Sequence, residues 1–571
     1  MQPYPRSRLI FIMGAATLLT AVVLIQLVRL QVVEHDHWKK EADDQHWGKI
    51  VIVPERGRIW DRNGVLLAGN DPRYEVWVDR RYADIFKVAT VVAPRLNLKL
   101  ADLNRAFTDE NDRAVLAYGL PVDVGERVYA DVISHTVPGV EVVQYWQRTY
   151  PEHTLAAHVL GFFSAERKGY YGLEGYYNKI LAGEEHSFQK DQDVRREPLP
   201  LDVPPDVSAR PGADLVLTID STVQMIVEDE LAQAVDKTGA ESGTLIVMDP
   251  RTGEILAMAS APSFDPNTFA DTAKNEPARF VNRAVSENYE PGSVFKIVTL
   301  AAALDAGLVT PESTYDDTAC IEVGGRLLCN WDRKAHGVVS MVTMMAKSLN
   351  VGAATLSTRM GAPTFYSYVR AFGFDNITGI DLSGEASGHV RSQNDVKWYE
   401  SDLGTNAFGQ GLSATPLQMI AAVAAVANDG VLVKPHVVKT IADGDQLRQA
   451  QPVEVRHAIK PETAHTLTQV LSEAVEREVP QAKVPGYRIA GKTGTAQIPI
   501  AGGYDDPWTI ASFVGYGPVN DPRLVILVRL DRPKISPWGS DTAAPVFQRV
   551  ASRLFAVLGI TPDDAAVAST R

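Results

Sequence analysis

The stretch EPGSVFKIVTLAAALDAG, residues 290–307, decides how this chain is read. From Ser293 onward it has the composition of a helix, and Pro291 and Gly292 stand just ahead of it. Proline is favoured at an early helical position because its missing N–H would have no partner there anyway. Ser293 therefore falls in the first turn, where the positive end of the helix dipole favours a developing alkoxide. Lys296, three residues on, lies on the same face one turn away. A serine hydroxyl is a poor nucleophile until a neighbour takes its proton, and a lysine can do so if its own pKa is lowered. Alone, Ser-x-x-Lys is a common accident, and its ordinary reading is a capped helix with a solvated lysine.

Two further motifs follow in order. AKSLNVGAATL, residues 346–356, supplies the hydroxyl of Ser348 and the amide of Asn350. The run YRIAGKTGTAQ, residues 487–497, carries Lys492, Thr493, Gly494 and Thr495 on a strand-like segment. Glycine at 494 is expected to leave room for a substrate along the strand edge. Lys492 placed near Lys296 would lower the latter's pKa by like-charge repulsion, and the lysine with two hydroxyls suits a carboxylate.

Around these motifs the pattern is mixed α/β. Asp220 or Ser221 caps a helix with apolar residues at Val223, Ile226, Val227, Leu231, Ala234 and Val235. Strand-like runs occur at 243–249, 254–260, 487–497, 511–517 and 523–530, and a last helix near 544–558. The long stretch between the second and third runs reads as mostly helical. The expected architecture is a five-stranded antiparallel sheet with its first and last helices against it and a helical insert, the motifs lying in a cleft at their junction.

The rest of the chain suggests an exported protein on a stalk. Residues 9–25, LIFIMGAATLLTAVVLI, carry no charge, and with Gln26 to Val28 they are long enough to span a bilayer. Arg6 and Arg8 precede them, so the N-terminus is expected in the cytoplasm and the remainder outside. No small-x-small cleavage site closes the run, which favours an uncleaved anchor over a signal peptide. RGRIWDRNGVLLA, residues 56–68, reads as strand, turn at Asn63-Gly64, and strand. Five prolines within 196–212 forbid helix and central strand there and mark a connector. The expected layout is a leader at 1–8, a transmembrane anchor at 9–29, a mixed α/β pedestal at 30–195, a Pro-rich linker at 196–212, a catalytic domain at 213–558 and a solvated tail at 559–571.

Composition removes some functions. A formal net charge of -14 leaves no basic field for nucleic acid. Cys320 and Cys329 are too few for a disulfide framework or a zinc site; they flank CIEVGGRLLC, a possible hairpin, and are either bridged or two free thiols. His153 and His158 have nothing nearby to complete a metal site and read as structural or surface residues. His336 reads as a loop residue, Trp508 and Tyr516 as packing or cleft lining, and Glu385 and Glu400 as surface residues. No metal or cofactor is expected.

Ser-x-x-Lys, Ser-x-Asn and Lys-Thr-Gly in that order resemble the penicillin-binding protein and serine β-lactamase superfamily. RGRIWDRNGVLLA, GLEGYYNKILAG (172–183), FGQGLSATPLQM (408–419), ASFVGYGPVNDPRLVILV (511–528) and TAAPVF (542–547) look like class B penicillin-binding proteins, more like the division (septal) type than the elongation type. The resemblance implies a D,D-transpeptidase acting on peptidoglycan stem peptides that end in D-Ala-D-Ala, and inhibited by β-lactams. It implies Ser293 as nucleophile, Lys296 as its base, Ser348 as proton relay, Asn350 as holder of the donor amide, and Lys492, Thr493 and Thr495 as carboxylate binders beside Gly494. Its oxyanion hole would use the backbone N–H groups of Ser293 and Thr495. It implies a pedestal that docks a membrane glycan polymerase. A β-lactamase or D,D-carboxypeptidase of the same fold needs an efficient deacylating base, which the sequence does not display. A β-lactam sensor would be expected to carry more transmembrane segments and a signalling domain.

Overall fold

The computed structural model describes residues 6–39, 47–52, 54–108, 112–184, 186–191 and 210–563. Most of the expected Pro-rich linker, part of the stalk and the end of the tail lie outside these residues. The chain divides into two compact units. One comprises Met1–Glu55, Asp71–Gln147 and Gly183–Pro211; the other comprises Arg56–Asn70, Arg148–Ala182 and Gly212–Arg571.

In the first unit, Arg6–Val28 is helical and continues through a wider turn at Arg29–Val33. Residues 8–33 form a helix long and apolar enough to cross a bilayer, with none of it buried. At about 1.5 Å per residue its 26 residues exceed a hydrocarbon core of about 30 Å. The globular part pairs the Tyr74–Asp79 end of one strand with Arg113–Leu120, antiparallel. Val76, Val78, Val88, Val92, Leu103, Val128 and Val132 form its core.

The second unit holds all the motifs. In its 56–70 segment the Asp61 carboxylate accepts from the backbone N–H of Asn63 and Val65, and Gly64 takes φ +89°, which closes the expected turn between Ile59–Trp60 and Leu66–Asp79. The GLEGYYNKILAG segment owes its place to Glu174. Fully buried, Glu174 accepts from Arg56 Nε and Arg148 Nε at 2.7 Å each, and from the Tyr150 hydroxyl at 3.2 Å.

Along the chain, α1 (Ser221–Thr238) leads into β1 (Ser242–Met248) and β2 (Ile255–Ala261). An insert follows that carries α2 (Lys296–Asp305) and α3 (Pro416–Ala427). Then β3 (Ala490–Ile500), β4 (Gly503–Gly517), β5 (Leu524–Asp531) and α4 (Ala543–Val557) complete the unit. The sheet order is β2-β1-β5-β4-β3, antiparallel throughout, as the sequence led us to expect. Successive residues of a strand face opposite ways, and both faces here are covered, so β1 and β5 are buried at every position. Val247, Phe513 and Ile526 pack with Val223 and Val227 of α1 and Phe547 and Leu554 of α4. Ile246, Val514 and Leu527 belong to the larger core shared with Val298 and Leu300 of α2 and Ile420 of α3. Asp220 caps α1 by accepting from the N–H of Thr222 and Val223. Residues 296–303 of α2 are all buried, so Lys296 sits on a helix enclosed on every side. Among the described residues β3 pairs with no strand on its outer side, and it lies next to the start of α2.

Candidate active site

Four elements of the second unit converge. Gly292–Phe295 forms a single 3-10 turn that runs straight into α2 and presents Ser293 half-buried, with Lys296 as the first residue of the helix proper. Helix Met341–Lys347 ends at Ser348, which adopts a left-handed backbone (φ +58°), and Asn350 begins the next helix, Asn350–Met360. That break points Ser348 and Asn350 at the same atom, the Lys296 amine. Nζ of Lys296 lies 2.7 Å from the Ser348 carbonyl oxygen and 2.7 Å from Asn350 Oδ1. It lies 3.1 Å from Ser293 Oγ and 3.2 Å from Ser348 Oγ.

The carbonyl and the amide oxygen can only accept, so they take two N–H bonds of the amine; in its neutral form the amine then has a lone pair left for a hydroxyl proton. Lys296 is fully buried and its pKa is driven well below the ordinary lysine value, by burial first and the Lys492 charge second. Like-charge repulsion from Lys492, the cause expected from the sequence, is thus the smaller contributor. Lys492 is itself 3 % exposed, and burial lowers its pKa to about 7. Its Nζ donates to the carbonyl and to Oγ1 of Thr493, both at 3.2 Å. Thr495 Oγ1 accepts from the Gly539 N–H at 3.2 Å.

The structure shows a further need for glycine at 494 beside the one expected. A Cβ there would run into Ser512 Oγ and would stand 3.1 Å from Val294 Cγ1 and 3.2 Å from the Pro291 carbonyl oxygen. Gly494 lets β3 close against the turn that carries Ser293. The FGQG segment does the same from the other side. Gly292 donates its N–H to the Gly409 carbonyl at 3.1 Å, and Gly409 (φ +77°) has no space for a Cβ. Glu290 accepts from the Gly411 N–H at 3.0 Å and from the Tyr504 hydroxyl at 3.3 Å, tying that loop to the nucleophile turn.

Several residues near the site escaped the sequence reading. Cys320–Val323 and Arg326–Cys329 form the suggested hairpin, and the two cysteines are bonded to each other. The Cys329 carbonyl accepts from Asn350 Nδ2 at 3.0 Å. Asn330 accepts from the Val351 N–H and donates to Asp317, which is wholly buried. Trp331 and Trp538 meet with ring centroids 5.3 Å apart. Only the flanking cysteines and the exposed tryptophans signalled this loop in the sequence, since its partners are set by contacts far along the chain. His336 is a loop residue, paired with Asp332 at 3.1 Å. His158 is buried, donates from Nε2 to the Arg279 carbonyl, and is held near pKa 4 by burial, so it is neutral and structural. Tyr516 is core packing. Glu385, expected at the surface, is half-buried and accepts from Thr378 and Gly379.

A buried lysine of lowered pKa beside a serine hydroxyl, at a helix start against the edge strand of a five-stranded antiparallel sheet, is equipped for acyl transfer through serine. Residues 243–552 match the penicillin-binding protein transpeptidase domain and residues 51–217 the penicillin-binding protein dimerisation domain. The chain is 34% identical to stage V sporulation protein D of Bacillus subtilis, over 98% of this chain and 86% of that protein. It is 30% identical to a probable peptidoglycan D,D-transpeptidase, PenA, of Neisseria meningitidis, over 97% of this chain and 94% of that protein. Among solved structures it resembles penicillin-binding protein 3 of Mycobacterium tuberculosis complexed with aztreonam, with a TM-score of 0.70, 29% identity and coverage of 90% of this chain and 98% of that one. The chain belongs to the penicillin-binding proteins of the transpeptidase class.

Proposed function

We propose that this protein is a peptidoglycan D,D-transpeptidase that cross-links stem peptides through an ester on Ser293. The observation that carries the proposal is the Lys296 amine, buried and set between the hydroxyls of Ser293 and Ser348. In this reading Ser293 Oγ attacks the penultimate D-Ala carbonyl while its proton passes to Lys296. The peptide bond breaks, Ser348 relays a proton to the departing D-alanine amine, and an acyl-enzyme remains. An acceptor amine from a neighbouring stem then attacks the ester carbonyl, the Ser293 C–O bond breaks, and the hydroxyl regains its proton. Asn350 holds the donor amide, and Lys492, Thr493 and Thr495 bind its terminal carboxylate beside Gly494. The backbone N–H groups of Ser293 and Thr495 receive the oxyanion, a donor pair of which each member is worth about 2.7–4 kcal/mol of transition-state stabilisation.

The names of its relatives, a peptidoglycan transpeptidase and a protein bound to a β-lactam, support both the substrate class and acylation by β-lactams. The N-terminal apolar helix, preceded by arginines, supports a single-pass protein with its catalytic unit outside the cell. On resemblance we assign the protein to septal wall synthesis, in company with a membrane glycan polymerase docked on the first unit. Similarity to a sporulation protein supports a second reading, cross-linking of a spore envelope, and an elongation role is the third.

Labelling with a fluorescent penicillin tests the chemistry. Wild type should label at one equivalent and Ser293→Ala not at all; equal labelling of both sinks the nucleophile assignment. An acyl-enzyme released within seconds would favour a β-lactamase. A tagged copy should gather at the septum, and uniform lateral staining would remove the division role.

A further inference from the structure

Two indole rings meet beside the candidate site, and their anchors show which elements they join. Trp331 follows the bonded hairpin by two residues, and its Nε1 donates to the Lys347 carbonyl at 3.2 Å, one residue before Ser348. Trp538 comes from the loop after β5, next to Gly539, whose N–H donates to Thr495 Oγ1. The Trp538 carbonyl is held by the N–H and hydroxyl of Thr542, at 3.2 and 2.8 Å. One ring is therefore fixed to the Ser348 wall and the other to the Thr495 wall, and they meet edge to face at 66°. Followed along, the contacts run from the nucleophile to the edge strand: Ser293, Lys296, Ser348, Lys347, Trp331, Trp538, Gly539, Thr495. Only ring contact completes the run.

Both rings remain wet. Trp331 is 58 % and Trp538 41 % exposed, so neither contributes much to a hydrophobic core, and large aromatic rings left this open act at the surface they present. The Trp331 ring is tied to one wall by its Nε1 and the Trp538 backbone to the other, and the two sides join through the ring contact, which gives a span able to part at its middle.

We propose that Trp331 and Trp538 form an aromatic roof over the Ser293 ester that keeps bulk water from its carbonyl and yields to the apolar-stemmed amine of an acceptor peptide. The roof decides the fate of the ester. With it shut, hydrolysis (water adds to the ester carbonyl, the Ser293 C–O bond breaks, a carboxylic acid leaves) is suppressed; parted by an acceptor, the same carbonyl is attacked by the amine and an amide leaves instead. This inference rests on the assignment of Ser293 as the acylated residue.

The test uses the full-length protein, with Trp331→Ala, Trp538→Ala and the double variant, and Trp538→Phe as the conservative control. Each is acylated with fluorescent penicillin, chased with excess unlabelled penicillin, and followed for loss of label. Each is also given a thioester donor with a D-amino acid acceptor, and hydrolysis is measured against aminolysis. The expected result is full labelling at a rate within about threefold of wild type, but an acyl-enzyme that decays about tenfold faster and a ratio of aminolysis to hydrolysis about tenfold lower, with Trp538→Phe close to wild type. An unchanged lifetime and ratio in the double variant would overturn the roof. So would a slower acylation with unchanged lifetime, which would make the pair a donor-binding surface. Melting temperatures close to wild type are expected, since the rings are exposed, and a single variant serves if the double one unfolds. Failure of wild type itself to label would instead strike the Ser293 assignment.

Discussion

Replacing Gly409 with alanine should damage catalysis without touching any group that reacts. Gly409 has φ +77°, and a Cβ there would stand 2.6 Å from Gly292 N and nearer still to its carbonyl oxygen, all of it backbone. An ordinary Cβ contact begins at 3.4 Å, so Gly292 must retreat by at least 0.8 Å, the difference between 3.4 and 2.6 Å. Gly292 immediately precedes Ser293, and a misplacement near 1 Å costs about 100-fold in rate. Three penalties add to stability: about 1–2 kcal/mol for a left-handed alanine, about 1–3 kcal/mol for overpacking, and about 1 kcal/mol for losing the Gly292 N–H bond to the Gly409 carbonyl. Gly307 supplies the control: φ is +69° but no atom lies within 4 Å of its would-be Cβ. Gly307→Ala should therefore lose about 1–2 kcal/mol and acylate normally. The second-order rate of fluorescent penicillin labelling, read beside chemical denaturation, separates the two effects. If Gly409→Ala acylates within threefold of wild type, or Gly307→Ala loses as much rate as it does, the steric argument is wrong.

Acylation should follow a bell in pH. It falls toward acid as Lys296, held well below the lysine range, takes up a proton, and for anionic donors kcat/KM falls above about 7 as Lys492 loses its charge; Lys492→Arg should remove only the alkaline limb. Stability carries the same signature: the folded pKa of Lys492, about 7, is below its unfolded 10.5, so between these values the unfolded state holds more protons and wild-type stability rises with pH. Its slope from this group approaches about 1.4 kcal/mol per pH unit, and Lys492→Met, lacking it, should be the more stable protein at pH 7; denaturation of both at pH 7 and 9 decides this, and parallel pH dependences would refute it. Glu174→Gln should cost about 3–5 kcal/mol, because it strands the buried guanidiniums of Arg56 and Arg148 without their carboxylate; a loss under 1 kcal/mol in urea unfolding would show the cluster is dispensable.

The sequence displayed the residues proposed to react but not the ones that hold them at distance. Ser293 and Lys296 are legible because a helix fixes the spacing of residues three apart, and the sheet was legible because its strands are short apolar runs between turns. Gly494 was legible as a glycine, but its close approach to the nucleophile turn was not, since which face of an edge strand meets that turn depends on tertiary register. The hairpin partner of Asn350, the Asp317–Asn330 pair and the meeting of Trp331 with Trp538 join residues far apart in the chain, and no local periodicity encodes them. The lysine electrostatics lay between these cases: the two charges were visible, but burial, the larger cause, is a property of packing.

That ordering of causes changes how the proposed chemistry begins. Were repulsion the main cause, Lys296 would become a base only while Lys492 was charged, and a rise in pH would switch it off. Burial is the larger cause, so the lowered pKa that suits Lys296 to accept the Ser293 proton depends only in smaller part on the Lys492 charge. Lys492, balanced at about 7, is then free to respond to the substrate. A donor carboxylate held by Thr493 and Thr495 favours the charged form of Lys492, and that charge presses further against protonation of Lys296. On this account the donor carboxylate and the Lys492 charge stabilise each other while the lowered pKa of Lys296 rests mainly on burial, so an uncharged donor, such as a stem peptide amidated at its C-terminus, should lose kcat/KM chiefly through weaker binding.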